Sequence, residues 1–467
     1  MPNPDIIIVG AGSAGCLLAN CLASDGDQQI LVIEPESDLA PQIDRVRPSR
    51  WLNLIGSRED WDLATDPIDT LAGRSLGWPR GRGPGGSGRI NAMIWFPPTD
   101  SDFENIAESI GVQSSDARDA FDELESIVQP ERAKWQSNAA RQFQLAAKNY
   151  GDPDSYRRAN RRGRRWTPAE LLKHGSIEVV RATVDRVLFQ GDRAAGVRTA
   201  DGEELRAAKQ VFLCAGAIAT PMILMRSGIG PREVLCDCKI DLRHDDPAVG
   251  ANLQDHLIMP VIFGVNPEHA FPFTFSDEED QLWTKDGDGP IVSNIAEAGG
   301  LFDDGHIQIH VTPTHYLLYP NPKAPPALTI GVNVTQPQSR GQLTITSADP
   351  HAPPSIHPNY LDHPHDLEKT IDGVRLARQI ASSDHYGNLI TGEILPGTKR
   401  QSDEAIAKSV QRFSQTLYHP MGTAAGIKTG ADNLHVVDAS ALQRITMGNP
   451  NAAVMTLAKL VGAGRAT

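Results

Sequence analysis

Cysteine is scarce in this chain, with five among 467 residues. That supply supports neither a disulfide framework nor a zinc-ribbon pattern. Cys236 and Cys238 stand in C-D-C, too close for a C-x-x-C metal knuckle. Cys16 and Cys21 lie five apart on a helix-compatible stretch, so their side chains diverge by about 140° and no bridge is expected. Positive charge is also in deficit, 44 Lys and Arg against 58 Asp and Glu, for a net −14. Phosphate neutralisation needs a basic surface, so the balance argues for no nucleic-acid partner. Long apolar runs are missing too. The longest, Val211 to Met225, is interrupted by Gly216, Thr220 and Pro221 and is too short for a bilayer. Pro2, Asn3, Pro4 and Asp5 lead straight into Ile6 with no basic segment, unlike a signal peptide. The expectation is a cytoplasmic, reducing-compartment protein with no integral membrane segment and no metal site.

What is present is ordinary for a globular chain: 40% hydrophobic and 22% charged residues, at a length that allows two or three domain-sized units. The 41 Gly and 34 Pro predict many turns and long connections.

The first thirty-five residues carry the strongest local signal. Ile6-Ile7-Ile8-Val9 reads as a buried strand and ends at Gly10-Ala11-Gly12-Ser13-Ala14-Gly15. A helix-compatible stretch follows, then a second strand, Gln29 to Ile33, closing on Glu34 nineteen residues past Gly15. In this context G-x-G-x-x-G binds a dinucleotide: Gly10, Gly12, Ser13 and Gly15 let the backbone approach pyrophosphate at a helix N-terminus. Glu34 would accept hydrogen bonds from the adenosine ribose. The motif alone leaves NAD and FAD open. Ile177 to Phe189 reads as strand, followed by a meander through Thr199 and Arg206. The strand Gln210 to Cys214 then returns to a glycine turn. That return to one sheet after a meander favours FAD.

Arg80-Gly81-Arg82-Gly83-Pro84-Gly85-Gly86-Ser87-Gly88-Arg89-Ile90-Asn91-Ala92-Met93 resembles a signature of the glucose–methanol–choline (GMC) oxidoreductases, in their choline-dehydrogenase-like branch. The resemblance continues in family order. It runs through Gly216-Ala217-Ile218-Ala219-Thr220-Pro221, Val249-Gly250-Ala251-Asn252-Leu253-Gln254-Asp255-His256, Tyr418-His419-Pro420-Met421-Gly422-Thr423, Val437-Asp438-Ala439-Ser440 and Gly448-Asn449-Pro450-Asn451-Ala452. The chain departs at Gly88, where relatives have a second Ser, and at Arg89 beside it. Ile90 stands where relatives with covalent FAD have His, which implies noncovalent FAD. The chain is also shortened between about Phe121 and Arg158.

The resemblance implies an α/β fold: a doubly wound, Rossmann-like FAD-binding domain from segments 1–100, 165–255 and 415–467. A substrate domain, 101–164 and 256–414, is built on an antiparallel sheet. The implied cofactor contacts add Gly86, Ser87, Asn91, Ala92, Val184, Asp438, Ala439 and Asn451 to the glycine turn. His419 and Asn449 are the implied catalytic pair. A neutral imidazole can take the alcohol proton near its ordinary pKa of about 6.5, and an amide can donate to the developing alkoxide. The rate would then rise through the imidazole range. The implied partners are a small-molecule alcohol and O2, a quinone or another electron acceptor.

Other features have plainer readings. The six Arg between Tyr156 and Arg165 read as a solvated arm. His306 and His310 share a strand face and read as packing or pocket lining. Glu297 reads equally as scaffold or as an acid facing a substrate cation. Two alternatives stay open: a non-redox use of FAD, as in a lyase or photodecarboxylase, and a flavin-bound binding protein without turnover.

Overall fold

The computed structural model describes residues 4–465 other than 25, 27 and 208, so Pro2 and Asn3 lie outside the described residues. Ile6–Val9 is β-branched throughout and fully buried, as a strand covered on both faces must be. It pairs in parallel with Ile30–Glu34 on one side and Gln210–Leu213 on the other. Ile177–Arg181 and Leu434–Val436 complete a five-stranded parallel sheet from distant parts of the chain. Alternate residues of the first strand feed different cores. Ile6 and Ile8 pack with the helices Ser13–Ser24 and Asn451–Gly462, whereas Ile7 and Val9 pack with Val184, Val197 and the helix Gly216–Arg226.

A second sheet runs antiparallel in the order Ala298–Phe302, Ile307–Thr312, Ala327–Val334, Leu257–Val265 and Ile390–Leu395. Gln415–Thr416 pairs with the start of Leu257–Val265. The helix Pro364–Ala381 buries Val374 and Ala377 against this sheet. A doubly wound parallel sheet joined to an antiparallel one is the fold class expected.

The 101–164 stretch divides between the two cores. Asp100–Ile110 and Ser114–Val128 pack Phe103, Ile106, Phe121 and Leu124 beneath the parallel sheet. Asn138–Ala147 packs Phe143 against the antiparallel one.

Two local expectations need correction. Ile177 to Phe189 is not one strand: Ile177–Arg181 joins the parallel sheet, and Val184–Gln190 turns into the three-stranded meander. The arginine run is solvated only in part: Arg161, Arg162 and Arg164 are exposed. Arg158 and Arg165 are only 2% and 7% exposed. Arg158 donates to the carbonyls of Ala296 and Glu297, and Arg165 to that of Asn91. Burial of Arg158 is tolerated because its guanidinium finds backbone acceptors, whereas Arg165 bonds through Nη1 alone and leaves Nε and Nη2 without a partner among the described residues.

Candidate active site

The strand Ile6–Val9 ends where the chain must turn sharply beneath a neighbour. Gly10 has φ +101°, and a Cβ there would lie 2.5 Å from the Cys214 carbonyl oxygen. At Gly15 a Cβ would sit 1.9 Å from the Gly10 carbonyl oxygen, so this glycine lets the helix close on the turn. The second glycine-rich loop abuts the first. A Cβ on Gly86 would meet Gly12 Cα at 2.7 Å, and Gly85 N–H donates to the Ala11 carbonyl at 2.7 Å.

Glu34 closes the same junction. One carboxylate oxygen accepts from Ala11 N–H at 2.7 Å and the other from Gly83 N–H at 2.9 Å. Burial pushes this carboxyl up to about 7, opposed by the two amides and by Arg89 and Arg82. A carboxylate offers about four acceptor sites, so lone pairs remain for a further donor.

These loops border a cavity of about 1050 Å³. That exceeds the roughly 300–1,000 Å³ of ordinary small-molecule pockets and suits a dinucleotide with substrate space beside it. Gly10, Gly12, Ser13, Glu34, Gly86, Ser87, Asn91, Ala92, Val184, Asp438, Ala439, Asn451, His419 and Asn449 all line it. Gly15 does not; its place is in packing. Asp438 uses both carboxylate oxygens internally, accepting from Gly216 N–H (2.8 Å), Thr220 Oγ (2.6 Å) and Ser440 N–H (2.8 Å). It braces the helix Gly216–Arg226 at the cavity edge. This donor set fits FAD: the start of Ser13–Ser24 could take the pyrophosphate and Glu34 the ribose.

His419 and Asn449 stand together on the cavity wall. Asn449 Nδ2 is 3.2 Å from His419 Nε2. The His419 backbone is fixed by Asp255, whose Oδ1 accepts its N–H at 2.7 Å while Oδ2 accepts from Thr416 Oγ at 2.6 Å and from the Tyr360 hydroxyl. Arg80 donates to the carbonyl of Tyr418, which sits at φ +66° immediately before His419. Such a left-handed tyrosine persists only where its surroundings over-determine it. Burial, with His256, His310 and Arg80 adding, holds the His419 imidazole well below its ordinary pKa. The His419 imidazole is therefore neutral at neutral pH, and the expected titration in the ordinary imidazole range moves to acid.

Glu297 is scaffold. Its carboxylate accepts from Ser137 N–H at 2.9 Å, from Ser137 Oγ and from Ser293 Oγ, and it does not line the cavity. His310, at 4% exposure, does line it, with Nδ1 2.7 Å from the Tyr156 hydroxyl. No group of three or more His, Cys, Asp or Glu with metal-binding geometry occurs among the described residues. No helix among them is long and apolar enough to cross a membrane. Sequence reasoning missed the aromatic and aliphatic wall of Trp51, Leu52, Ile55, Tyr316 and Tyr319. It gave no role to His256, although that residue closes the motif that begins at Val249.

A GMC oxidoreductase family model matches residues 4–175 and 163–258 in its N-terminal part and 337–458 in its C-terminal part. The oxygen-dependent choline dehydrogenase of Pseudomonas syringae pv. tomato is 32% identical, over 98% of this chain and 92% of that protein. The alcohol dehydrogenase [acceptor] of Pseudomonas putida is 30% identical over 97% and 94%. The crystal structure of pyridoxine 4-oxidase from Mesorbium loti superposes with a TM-score of 0.85, at 28% identity and 99% coverage of both chains. The chain belongs to the GMC oxidoreductase family and is an FAD-dependent oxidoreductase acting on CH–OH donors.

Proposed function

We propose that this member of the GMC family oxidises an alcohol to an aldehyde or ketone with His419 as the base. The observation that carries the reading is the His419–Asn449 pair on the wall of the glycine-bordered cavity. Bound FAD supplies the two-electron acceptor for the hydride. His419 Nε2 takes the hydroxyl proton, and Asn449 Nδ2 donates to the oxygen as it gains alkoxide character. The substrate oxygen enters between these two nitrogens, replacing the bond they make to each other. Asp255 and Arg80 hold the His419 backbone so that its ring stays at that position.

The substrate side of the cavity supports a neutral alcohol. Its wall includes Trp51, Leu52, Ile55, Tyr316 and Tyr319, and Glu297 is turned away to Ser137 and Ser293. Electrons then pass to O2, a quinone or another acceptor. An anaerobic panel of aliphatic, aromatic and cationic alcohols, scored by bleaching of the flavin absorbance, tests the reading. Admission of air separates O2 from other acceptors. A panel with no bleaching would favour non-redox use of the cofactor, as in a lyase or photodecarboxylase, or a binding role.

A further inference from the structure

The two ring nitrogens of His419 have different partners. Nε2 meets Asn449; Nδ1 lies 3.0 Å from Nδ1 of His256. The two rings stand nearly perpendicular, at 83°. His256 is fully buried, and its own Nε2 lies 2.9 Å from the carbonyl oxygen of Thr335.

That carbonyl decides where the protons are. A carbonyl oxygen only accepts, so His256 Nε2 must carry a proton. Burial lowers the His256 imidazole to about 4, so at neutral pH it has one ring proton and a bare Nδ1. The contact between the two Nδ1 atoms needs one proton, which His419 must supply. His419 is itself neutral, with His256, His310 and Arg80 the charged or titratable groups bearing on it and Asp255 bonded to its backbone. Its single proton therefore sits on Nδ1, and its bare nitrogen is Nε2, the one beside Asn449.

We propose that His256 is a positioning residue that fixes His419 in the Nδ1–H tautomer through a Thr335–His256–His419 hydrogen-bond chain. This rests on the reading of His419 as the base. When the alcohol O–H bond breaks, its proton goes to His419 Nε2, and the C–H electron pair leaves with the hydride. His419 keeps its Nδ1–H, now part of an imidazolium that donates more strongly to His256 Nδ1. His256 keeps its own Nε2–H on Thr335 throughout. Orientation and charge stabilisation by a second group is the same logic as in a catalytic triad.

The chain of contacts is anchored by the fold. His256 directly precedes the strand Leu257–Val265, which pairs with Gln415–Thr416, and Leu417 N–H donates to the His256 carbonyl at 2.9 Å. Thr335 directly follows the strand Ala327–Val334, and its hydroxyl donates to the Gly305 carbonyl at 2.7 Å.

The direct test is 15N NMR of FAD-loaded enzyme labelled at histidine. The expected spectrum places the bare-nitrogen signals at His256 Nδ1 and His419 Nε2, assigned by their loss in single variants. A protonated His419 Nε2 in the neutral holoenzyme overturns the proposal. His256→Leu, which keeps volume without an acceptor, should slow flavin reduction about 10- to 100-fold with little change in KM, on the scale of other orienting partners. His256→Asn, whose Oδ1 can stand in for Nδ1, should recover part of that loss. An FAD-loaded His256→Leu enzyme that reduces at the wild-type rate also overturns it. Failure of the parent reading looks different, as undiminished reduction in His419→Ala. If His256→Leu does not fold, the wild-type spectrum still decides.

Discussion

Arg89 and Glu59 form a buried ion pair under the second glycine-rich loop, with Nη2 2.8 Å from Oε2 and side chains 9% and 0% exposed. Glu59 also accepts from Ala40 N–H at 2.7 Å, so the pair ties that loop to a segment outside either sheet. Arg89 occupies one of the two positions where the chain departs from the family signature, so the pair is a local solution to support of the cavity edge.

Removing one partner of a buried pair is costly, and without Arg89 the buried Glu59 is left with Ala40 N–H and the longer 3.7 Å contact with Arg45 Nε. Arg89→Ala should lower stability by about 3–5 kcal/mol. The double change Arg89→Met with Glu59→Leu should recover most of that loss. Denaturant unfolding of the FAD-loaded proteins checks both.

Ile90 is buried and lines the cavity, offering no nucleophile to the cofactor. FAD should therefore leave with acid or heat and be found wholly in the supernatant. Flavin that stays with the precipitated polypeptide would contradict noncovalent binding.

Glu34 has two jobs, as the proposed ribose acceptor and as the brace between Ala11 and Gly83. Glu34→Ala should lower FAD affinity, and it should also destabilise the protein before FAD is added. Each amide left unpaired costs about 1–3 kcal/mol. Glu34→Gln keeps one acceptor and should fall between. FAD titration and apoprotein melting read the two effects separately.

Much of the site was legible from short stretches. The glycine turn, its flanking strands and Glu34 all lie within thirty-five residues, and their spacing alone implies a dinucleotide site. What stayed hidden depended on distant partners. The run from Ile177 to Phe189 has no Gly or Pro to mark a break, because the split comes from which sheet each half joins. The burial of Arg158 depends on carbonyls 138 and 139 residues away. His256 carries no local sign of its role, since Thr335 and His419 meet it only in the fold.

Burial lowers His256 to about 4 and His310 to about 3, and moves His419 in the same direction. A histidine with a depressed folded pKa contributes stability that is present above its unfolded value of about 6.5 and is lost as pH falls through the folded value. In that window the unfolded chain binds a proton that the folded one refuses. The histidine contribution should therefore fall from about pH 6.5 to about pH 4, each such group removing about 1.4 kcal/mol per pH unit, against an opposite contribution from Glu34, whose carboxyl is raised to about 7. It is read as a smaller acid loss of unfolding free energy in His310→Gln than in wild type. Flavin reduction should be flat with pH from about 6.5 upward and decline only in acid. An ascending limb centred near 6.5 would show that His419 is not desolvated as the structure has it.

The central claim is that His419 removes the alcohol proton, and anaerobic stopped-flow reduction of the bound flavin by a turnover alcohol tests it most directly. His419→Ala should purify with a full complement of FAD and reduce it about 10²–10⁴-fold more slowly than wild type. Asn449→Ala should be about 10²–10³-fold slower, and the double variant less than the product of the two. A fully loaded His419→Ala enzyme that reduces at the wild-type rate would contradict the account.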